Sequence, residues 1–542
     1  MSDRNSDGCS GCSVESTLPS RRCTTHRVDV GQVFDEGNAV KRVVIFHPGD
    51  YRSLPNEWAK PQVAETTSQL ESALKKLGRK PHLVKGFITK PHEAIDKLSG
   101  FDDPMIGVFC HWTYGPHTVE GVVGKDNPLL LASNFSGTWP GLVALLNTGA
   151  CLESVDRKFS RIWTDAKDWT KDKTFMDRLD QWCSSGQIRY RTDELHSSAP
   201  VRPEANNIAT DVVAEIRRKR ILALMLGDTS MGMINGYFGP RLLAKYGFAE
   251  HKVDQAWIIA RGKEIATKRI DDAFRFVVDR GVKFHWREKD AEDFTEEATK
   301  EQLRMYLAVL DLVDEFHADC LGWQYQLGLI PCLPPSDFCE GLLNSACRPE
   351  TTGDVLITST EADQGNLVPM ELMKRIAQRK GLHPAVMFHD VRWGATYKNR
   401  FLWVLLNSGS CGAYAFQHDP DSLKGVHSYR QPAGYFPIPG GTFAGESKAG
   451  AMTWSRCYIS GGELCMDIGR GEVVALPAKV RDAWWEGTTR QWPFMAAHLG
   501  CSMETIMAHY MSNHIAVLYG DIFDELVATS LQLGMKVRIL SS

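Results

Sequence analysis

The stretch DVLITSTEADQGNLVPMELMKRIAQRKGLHPAVMFHD, from Asp354 to Asp390, decides the predicted fold. It begins with the apolar run 354–358 and ends with the apolar run 385–390, and both have the length of a buried strand. Between them, residues 367–380 repeat apolar side chains at helical spacing. A strand, a helix and a second strand in this order predict one unit of a parallel α/β sheet.

The same alternation of strands and helices continues outward from this stretch in both directions. Beyond about residue 410, glycine, proline and aromatic residues become dense and turns separate short apolar runs, which is typical of a β-rich domain. We predict two doubly wound, Rossmann-like α/β domains followed by a β-rich, barrel-like C-terminal domain. The predicted boundaries are a flexible tail at 1–30, an N-terminal α/β domain at 31–219, a second α/β domain at 220–376 and the β-rich domain at 377–542. The other predicted strands are 42–47, 105–112, 127–132, 159–164, 221–227, 320–325 and 402–406, and the other predicted helices are 62–77, 139–152, 174–183, 208–219, 270–280, 295–316 and 521–533.

Composition narrows the class of partner. The chain has 542 residues, with 62 Lys and Arg against 66 Asp and Glu, and so a formal net charge of −4. A protein that binds nucleic acid or an anionic membrane usually carries a large basic excess, so neither is expected as a partner. This balance is typical of an enzyme that acts on a small polar metabolite.

The chain has 14 cysteines, which form disulfides in an exported protein but stay reduced in the cytoplasm. The polar N-terminus has no apolar segment of a signal peptide, and apolar runs such as 221–226 are far shorter than the ~20 residues of a membrane span. We therefore expect a cytoplasmic protein with mostly reduced, buried thiols.

One cysteine pattern stands apart, in the predicted tail. Cys9 and Cys12 form a CxxC pair, and Cys23 and His26 form a CxxH pair. Such pairs can close a tetrahedral zinc site, whereas the alternative is a disordered tail with incidental thiols.

Several familiar motifs are missing from the sequence. No G-x-G-x-x-G follows a strand and opens a helix, and neither a G-x-x-x-x-G-K-[ST] loop nor a G-x-S-x-G elbow is present. Dinucleotide binding and P-loop chemistry therefore lose most of their support.

Two carboxylates stand out by position. Glu361 follows the strand DVLITST, and Asp390 ends the strand AVMFHD, with one helix between them. Because the carboxyl ends of consecutive parallel strands meet at one edge of a sheet, these side chains are expected to lie close together. Two carboxylates there can bind a divalent cation or transfer a proton, whereas the alternative is a helix N-cap or a solvated loop residue.

Other candidates are individually weaker. His514 precedes the apolar run IAVL and is either a ligand or a core histidine. Met231 lies in GDTSMGM, a strand-to-helix turn, and Trp112 and Tyr114 lie at a strand end where aromatic rings either stack on a sugar or fill the core.

Taken in order, eight short blocks resemble the L-fucose isomerase family of metal-dependent aldose–ketose isomerases. The resemblance runs from about residue 105 to about residue 537. The blocks are HWTYG at His111, NFSGTWPG at Asn134, LGDTSMGM at Leu226, GWQYQ at Gly322, STEADQGN at Ser359, HDVRW at His389, LLNSGS at Leu405 and SNHIAVLYGDI at Ser512.

The resemblance implies roles for particular residues. It makes Glu361 and Asp390 the metal-binding, proton-transferring carboxylates and His514 the third protein ligand. It implies manganese, for which Mg²⁺ or Co²⁺ can substitute, and a homo-hexamer whose active sites are shared between subunits. Its substrate-binding positions fall on Trp112, Met231, Gln324, Ser408, Tyr435, Trp492 and Asn513.

The implied reaction suits these residue types. An intramolecular oxidoreductase of the aldose–ketose isomerase type (EC 5.3.1) moves a proton between C1 and C2 through an ene-diol, whose oxygens carry developing negative charge. A Mn²⁺ bound by two carboxylates and an imidazole stabilises that charge, and Glu361 or Asp390 transfers the proton. The sequence leaves open which carboxylate begins. The expected substrate is a deoxyhexose, a pentose or a modified hexose.

Some positions depart from the family pattern. The family continues further beyond the metal histidine, whereas Ile515 to Ser542 are the only residues that follow His514 here. Where the family has an arginine that reaches a neighbouring subunit's site, the best counterpart is His47. We therefore expect the reaction type to be kept while the far end of the sugar is recognised differently.

Three alternatives stay open. The first is an isomerase of an acidic, 6-sulfo type sugar, with His427 or Arg430 as the basic group near C6. The second is a non-catalytic sugar-binding protein that kept the fold. The third is a redox-regulated or zinc-regulated protein that works through the N-terminal Cys and His cluster.

Overall fold

The structure is a computed structural model that describes residues 42–229, 232–409 and 411–542. The N-terminal cysteine and histidine pairs and Met231 lie outside the described residues. Three larger sheets organise the described part, two of them parallel and the third mostly antiparallel. The mixed α/β fold with a β-rich C-terminal sheet is therefore as predicted.

The first sheet has five parallel strands in the order β2-β1-β3-β4-β5, an order that doubly wound sheets adopt. Helices cover both faces, so β3 and β4 are buried throughout. The edge strand β2 was not predicted, because only Val84 and Ile88 along it are buried and its sequence shows little apolar periodicity. The strands are β1 Arg42–Pro48, β2 Lys80–Ile88, β3 Met105–Phe109, β4 Leu129–Ser133 and β5 Ser160–Trp163, and the helices are α1 Ser53–Lys76, α2 Pro91–Leu98, α3 Pro116–Val122, α4 Gly141–Ser154 and α5 Lys173–Ser185.

The second sheet has four parallel strands in the order β12-β9-β6-β7. The strand predicted at 354–358 is shorter and lies later, because β12 covers Thr358–Thr360 alone. The strands of this region are β6 Ile221–Leu226, β7 Phe248–Val253, β8 Lys283–Phe284, β9 Cys320–Trp323, β10 Cys347–Arg348, β11 Thr351–Thr352 and β12 Thr358–Thr360, and the helices are α6 Pro203–Lys219, α7 Gly239–Leu243, α8 Ala256–Gly262, α9 Thr267–Asp279, α10 Glu296–Phe316, α11 Asp337–Leu343 and α12 Gln364–Lys380.

The third sheet has seven strands in the order β16-β19-β13-β14-β18-β17-β20. Strand β16 also pairs with β17, so hydrogen-bonded pairings join six of these strands in a circuit. All pairings are antiparallel except that of β17 with β20. The strands are β13 Val386–Tyr397, β14 Arg400–Leu406, β15 His427–Ser428, β16 Gly450–Ser460, β17 Glu463–Val473, β18 Phe494–His498, β19 His514–Tyr519 and β20 Lys536–Ser541, and the helices are α13 Tyr414–Gln417, α14 Ala478–Glu486, α15 Met503–His509 and α16 Phe523–Leu533.

The predicted relation between the strands that carry the two carboxylates is wrong. Strand β13 does not end at Asp390 but continues to Tyr397, and it pairs antiparallel with β14 and β19. Lys398 and Asn399 both have positive φ, 46° and 63°, which makes a two-residue hairpin turn of the kind that folds β14 back onto β13. Glu361 and Asp390 therefore come from different sheets.

The described cysteines form no disulfide. Eleven free cysteines are described, of which Cys332 is exposed, Cys501 is partly buried and the others are buried. Within the described ranges, no helix is long and apolar enough to cross a membrane.

Candidate active site

A cleft opens where the three sheets approach one another. Aromatic and proline side chains form part of its wall, and most of the other lining residues are polar. Its lining residues are Arg52, Trp112, Pro140, Val143, Gln326, Glu361, Asp390, Arg392, Asn407, Ser408, Pro432, Tyr435, Phe436, Thr489, Trp492, Asn513 and His514.

Glu361 lies directly after β12 in an unusual backbone conformation. Glu361 and Ala362 have φ of 58° and 51°, the left-handed region that non-glycine residues rarely adopt. Such strain persists only where the surrounding structure holds it, and it is concentrated at functional sites. The Oε2 atom is buried and has no hydrogen-bond partner among the described residues.

The environment makes ionisation of Glu361 costly. Burial raises the pKa of Glu361 to about 7, and the nearby charges of Asp390 and Asp363 act in the same direction, whereas His514 opposes them. A positive charge in the cleft would relieve this penalty.

Asp390 is held more tightly than Glu361. Its Oδ1 accepts a hydrogen bond from Asn513 Nδ2 at 3.0 Å, and its Oδ2 accepts one from Asn407 Nδ2 at 3.1 Å. Burial raises the pKa of Asp390, although His514 and the two amides act against the rise. Asp390 is therefore a fixed acceptor with both oxygens engaged.

His514 begins β19 directly opposite Asp390 in the ladder with β13. Its Nε2 lies 3.3 Å from Asp390 Oδ1 and 3.7 Å from Glu361 Oε2. Burial alone lowers the pKa of His514, but Asp390, Asp363 and Glu361 together raise it. The imidazole thus faces both carboxylates.

A further acid, Asp363, orients this imidazole. Asp363 Oδ2 lies 2.7 Å from His514 Nδ1 and also accepts a hydrogen bond from Arg456, whose side chain is almost fully buried. Burial raises the pKa of Asp363, but Arg456 and His514 outweigh it and bring the pKa down to about 2. A charged Asp363 orients the ring through Nδ1, so Nε2 faces the carboxylates and would offer its lone pair to a cation bound between them.

Glu361, Asp390 and His514, the predicted metal ligands, all line the cleft. Two carboxylates and a neutral imidazole suit Mn²⁺ or a similar cation better than a thiolate-preferring metal. With bonds of roughly 2.1 Å, neighbouring ligands of an octahedral cation lie about 3 Å apart. The distances of 3.3 and 3.7 Å from His514 Nε2 to the two carboxylates are wider, and no three His, Cys, Asp or Glu side chains of the described residues lie at metal-binding spacing. The donor types and the buried, unpartnered Oε2 of Glu361 fit a cation in their chemistry.

The structure brings most of the predicted substrate positions into this cleft. Gln324 does not line the cleft; it is buried and accepts a hydrogen bond from Gln255. Met231 is outside the described residues. The predicted positions that line the cleft are Trp112, Ser408, Tyr435, Trp492 and Asn513.

The basic residues that the sequence offered for an acidic sugar lie elsewhere. Arg430 pairs with Asp293 at 2.9 Å, and His427 stacks on His285 with ring centroids 5.3 Å apart. His47 is also outside the cleft, with Nε2 2.7 Å from Thr67 Oγ1.

Sequence reasoning missed several residues that build the site. Asp363 lies within STEADQGN, but nothing in that block indicated that its side chain contacts His514. Its partner Arg456 is far away in sequence and appears in none of the eight blocks. Arg52 and Arg392, the arginines that line the cleft, were assigned no role.

Comparison with known families bears on this geometry. Residues 405–541 match the family model for the C-terminal domain of L-fucose isomerase. This C-terminal match supports membership of the L-fucose isomerase family. The comparison with curated proteins gives no match.

The family match covers only part of the cleft. It includes His514 and the lining residues Ser408, Tyr435, Trp492 and Asn513, but it begins after Glu361 and Asp390. The L-fucose isomerase family indicates an isomerase of the aldose–ketose type and hence a small sugar as substrate.

Proposed function

We propose that the chain is a metal-dependent aldose–ketose isomerase that acts on a deoxyhexose, a pentose or a modified hexose through an ene-diol intermediate. The observation that carries this proposal is the convergence of Glu361, Asp390 and His514 in one cleft, in a chain whose residues 405–541 match the C-terminal domain of L-fucose isomerase. The further elements of the proposal are Mn²⁺ as the preferred cofactor, a homo-hexamer with active sites shared between subunits, and a cytoplasmic location.

Each ligand has a distinct part in the proposed mechanism. A divalent cation held by Glu361, Asp390 and His514 would act as a Lewis acid toward the substrate oxygens. Asp363 holds the His514 ring in place, and Asn407 and Asn513 hold Asp390. Preorganised groups of this kind lower the cost of reaching the transition state.

We assign the initial proton transfer to Glu361 rather than Asp390. Both oxygens of Asp390 accept amide N–H groups, whereas Glu361 Oε2 has no hydrogen-bond partner among the described residues. The raised pKa of Glu361, about 7, is suited to a base that accepts and returns a proton near neutral pH.

The direct test is turnover of a panel of aldoses by the purified protein with Mn²⁺. The panel contains 6-deoxyhexoses, pentoses and a hexose with a sulfonate at C6. The expected result is formation of the matching ketose from at least one sugar, with deuterium entering the product in D₂O. Tight binding without a ketose would favour a sugar-binding protein, and failure of every sugar would reject the proposal.

Metal binding is expected to stabilise the protein more at about pH 8 than at about pH 5.5. In the metal-free protein the pKa of Glu361 is about 7, above its ordinary 4.5. Protonated Glu361 therefore stabilises the folded state at low pH, and this stabilisation is lost as the pH rises from 4.5 through about 7. A cation binds the ionised carboxylate, so it binds more tightly at the higher pH. Its binding stabilises the folded protein by about 2.7 kcal/mol when its concentration is 100 times its Kd. The measurement is the rise in Tm on adding Mn²⁺ at each pH, and an equal rise at both would contradict the Glu361 ligand.

A further inference from the structure

Arg392 is a buried cation in the wall of the cleft that forms no hydrogen bond or ion pair with a described residue. Its side chain lines the cleft, and the residue is only 5% exposed. Its Nε is buried without a hydrogen-bond partner, and no hydrogen bond or ion pair joins its guanidinium to any described residue. A buried charge that lacks a partner is costly, so the position calls for an explanation.

The other buried arginines of the described residues show how unusual this is. Each of them donates to a carboxylate or to backbone carbonyl groups. They are Arg157 with the carbonyl of Val122, Arg161 with that of Tyr510, Arg348 with that of Asp354, Arg430 with Asp293 and Arg456 with Asp363.

The backbone at Arg392 is also irregular. On β13, Val391 pairs with Leu405 and Trp393 pairs with Val404. Because Leu405 and Val404 are adjacent on β14, Arg392 is an extra residue in β13 that has no partner in this ladder. A bulge of this kind redirects a side chain and is over-represented beside active sites. The bulge lies two residues after Asp390, and Arg392 lines the same cleft as Glu361, Asp390 and His514.

The charge of Asp390 attracts Arg392, but no hydrogen bond or ion pair joins the two side chains. The oxygens of Asp390 are taken by Asn407 and Asn513, and the other arginine in the wall, Arg52, is already paired with Asp50 at 2.8 Å. Arg392 is thus left to interact with whatever occupies the cleft.

We propose that Arg392 is a further catalytic residue, whose guanidinium stabilises the negative charge that develops on the substrate oxygens as the ene-diol forms. This inference rests on the proposed isomerase function. The carboxylate base takes the proton from C2, the electron pair of the broken C–H bond forms the C1–C2 double bond, and the carbonyl electron pair moves onto O1. Return of the proton to C1 and transfer of the O2 proton to O1 complete the ketose, so no other reactant is needed.

A neutral sugar in its ground state offers Arg392 only hydroxyl and carbonyl oxygens, whereas the intermediate offers an anion. An interaction that strengthens on the way to the transition state raises kcat rather than lowering KM. Loss of one such donor typically costs roughly 10² to 10³ in kcat.

The first experiment compares Arg392→Gln and Arg392→Lys with wild-type protein on a neutral aldose that wild type converts. We expect Arg392→Gln to lower kcat about 100-fold or more with KM changed less than about threefold, and Arg392→Lys to recover part of the loss because it keeps the charge but not the planar fork. Arg400→Gln, at an exposed arginine on the neighbouring strand, is the matched control and should match wild type.

The second experiment separates a catalytic from a structural role by ligand affinity. An aldonohydroxamate imitates the ene-diolate in its ionised form, whereas the corresponding alditol stays neutral, so both are measured at a pH at which the hydroxamate is ionised. Arg392→Gln should weaken binding of the hydroxamate about 100-fold and of the alditol less than about threefold. Equal weakening of both would overturn the proposal.

Two further outcomes would also overturn it. One is a kcat for Arg392→Gln within about threefold of wild type. The other is a loss confined to KM for an acidic sugar, because Arg392 would then recognise a permanent anionic group. These failures require an active wild-type enzyme, so they differ from failure of the isomerase proposal, in which wild-type protein converts no aldose.

Discussion

Replacing Glu361 with glutamine is expected to lower kcat by about 10³-fold or more, because the variant loses both a metal ligand and the proposed base. Glutamine keeps the size and one carbonyl oxygen of the side chain, so the cleft should keep its shape. The pKa of Glu361 is already raised by burial, and removing its charge should not destabilise the fold. The measurement is ketose formation together with deuterium exchange at C2 of the aldose.

Glu463→Gln is the matched control for this variant. Glu463 lies on an exposed strand end, where its side chain pairs with Lys536 at 2.8 Å, and its loss should leave turnover unchanged. Unchanged turnover in Glu361→Gln would refute the proposed site. Lost ketose formation with preserved C2 exchange would instead assign the first proton transfer to Asp390.

Replacing Asp363 with asparagine is expected to reduce both stability and metal affinity. Asparagine can still cap α12, as Asp363 does through Gly365 N at 2.8 Å, but it removes the negative charge that faces Arg456 and His514. Leaving a buried charge without its partner typically costs about 3–5 kcal/mol. Loss of a carboxylate behind a metal histidine typically lowers metal affinity or activity about 10- to 100-fold.

The stabilisation that Asp363 provides depends on pH. The pKa of Asp363 is about 2 in the folded protein, below its ordinary 3.8, so its stabilising effect is full above the higher value and is lost as the pH falls through the lower one. Urea unfolding at about pH 7 and about pH 3 measures the difference between wild type and Asp363→Asn, which should narrow at the lower pH.

Asp272→Asn is the control for the stability measurement. Asp272 forms an exposed ion pair with Lys268, and pairs of this kind contribute about 0–1 kcal/mol. A similar small effect in both variants would contradict a structural role for the Asp363–Arg456 pair.

Local patterns made the α/β architecture and the two carboxylates predictable. Alternating strands and helices follow from apolar periodicity, and the position of Glu361 just after a strand marked it correctly as a cleft residue. The continuation of β13 past Asp390 was missed, although the two-residue turn at Lys398 and Asn399 is a local hairpin signal.

Arg456 and Arg392 could not be predicted from the sequence, because their roles depend on contacts between distant parts of the chain. Arg456 meets Asp363 only because β16 packs near the start of α12. Arg392 is identified by a missing partner and by a change of register, and neither is visible in the sequence. Such features depend on which strands become neighbours, which local propensity does not determine.

Asp390 and His514 pair across β13 and β19, so the proposed active site forms only when these two strands pair in the correct register. These partners are far apart in the chain, and their contact closes a long loop, which slows folding. A slip of one residue would place Asn513 or Ile515 opposite Asp390 and turn the side chains of β19 to the other face. A sheet in the wrong register could still be compact and rich in secondary structure, yet it would lack the imidazole. The specific activity of refolded protein is therefore a direct measure of how often this strand pair forms correctly.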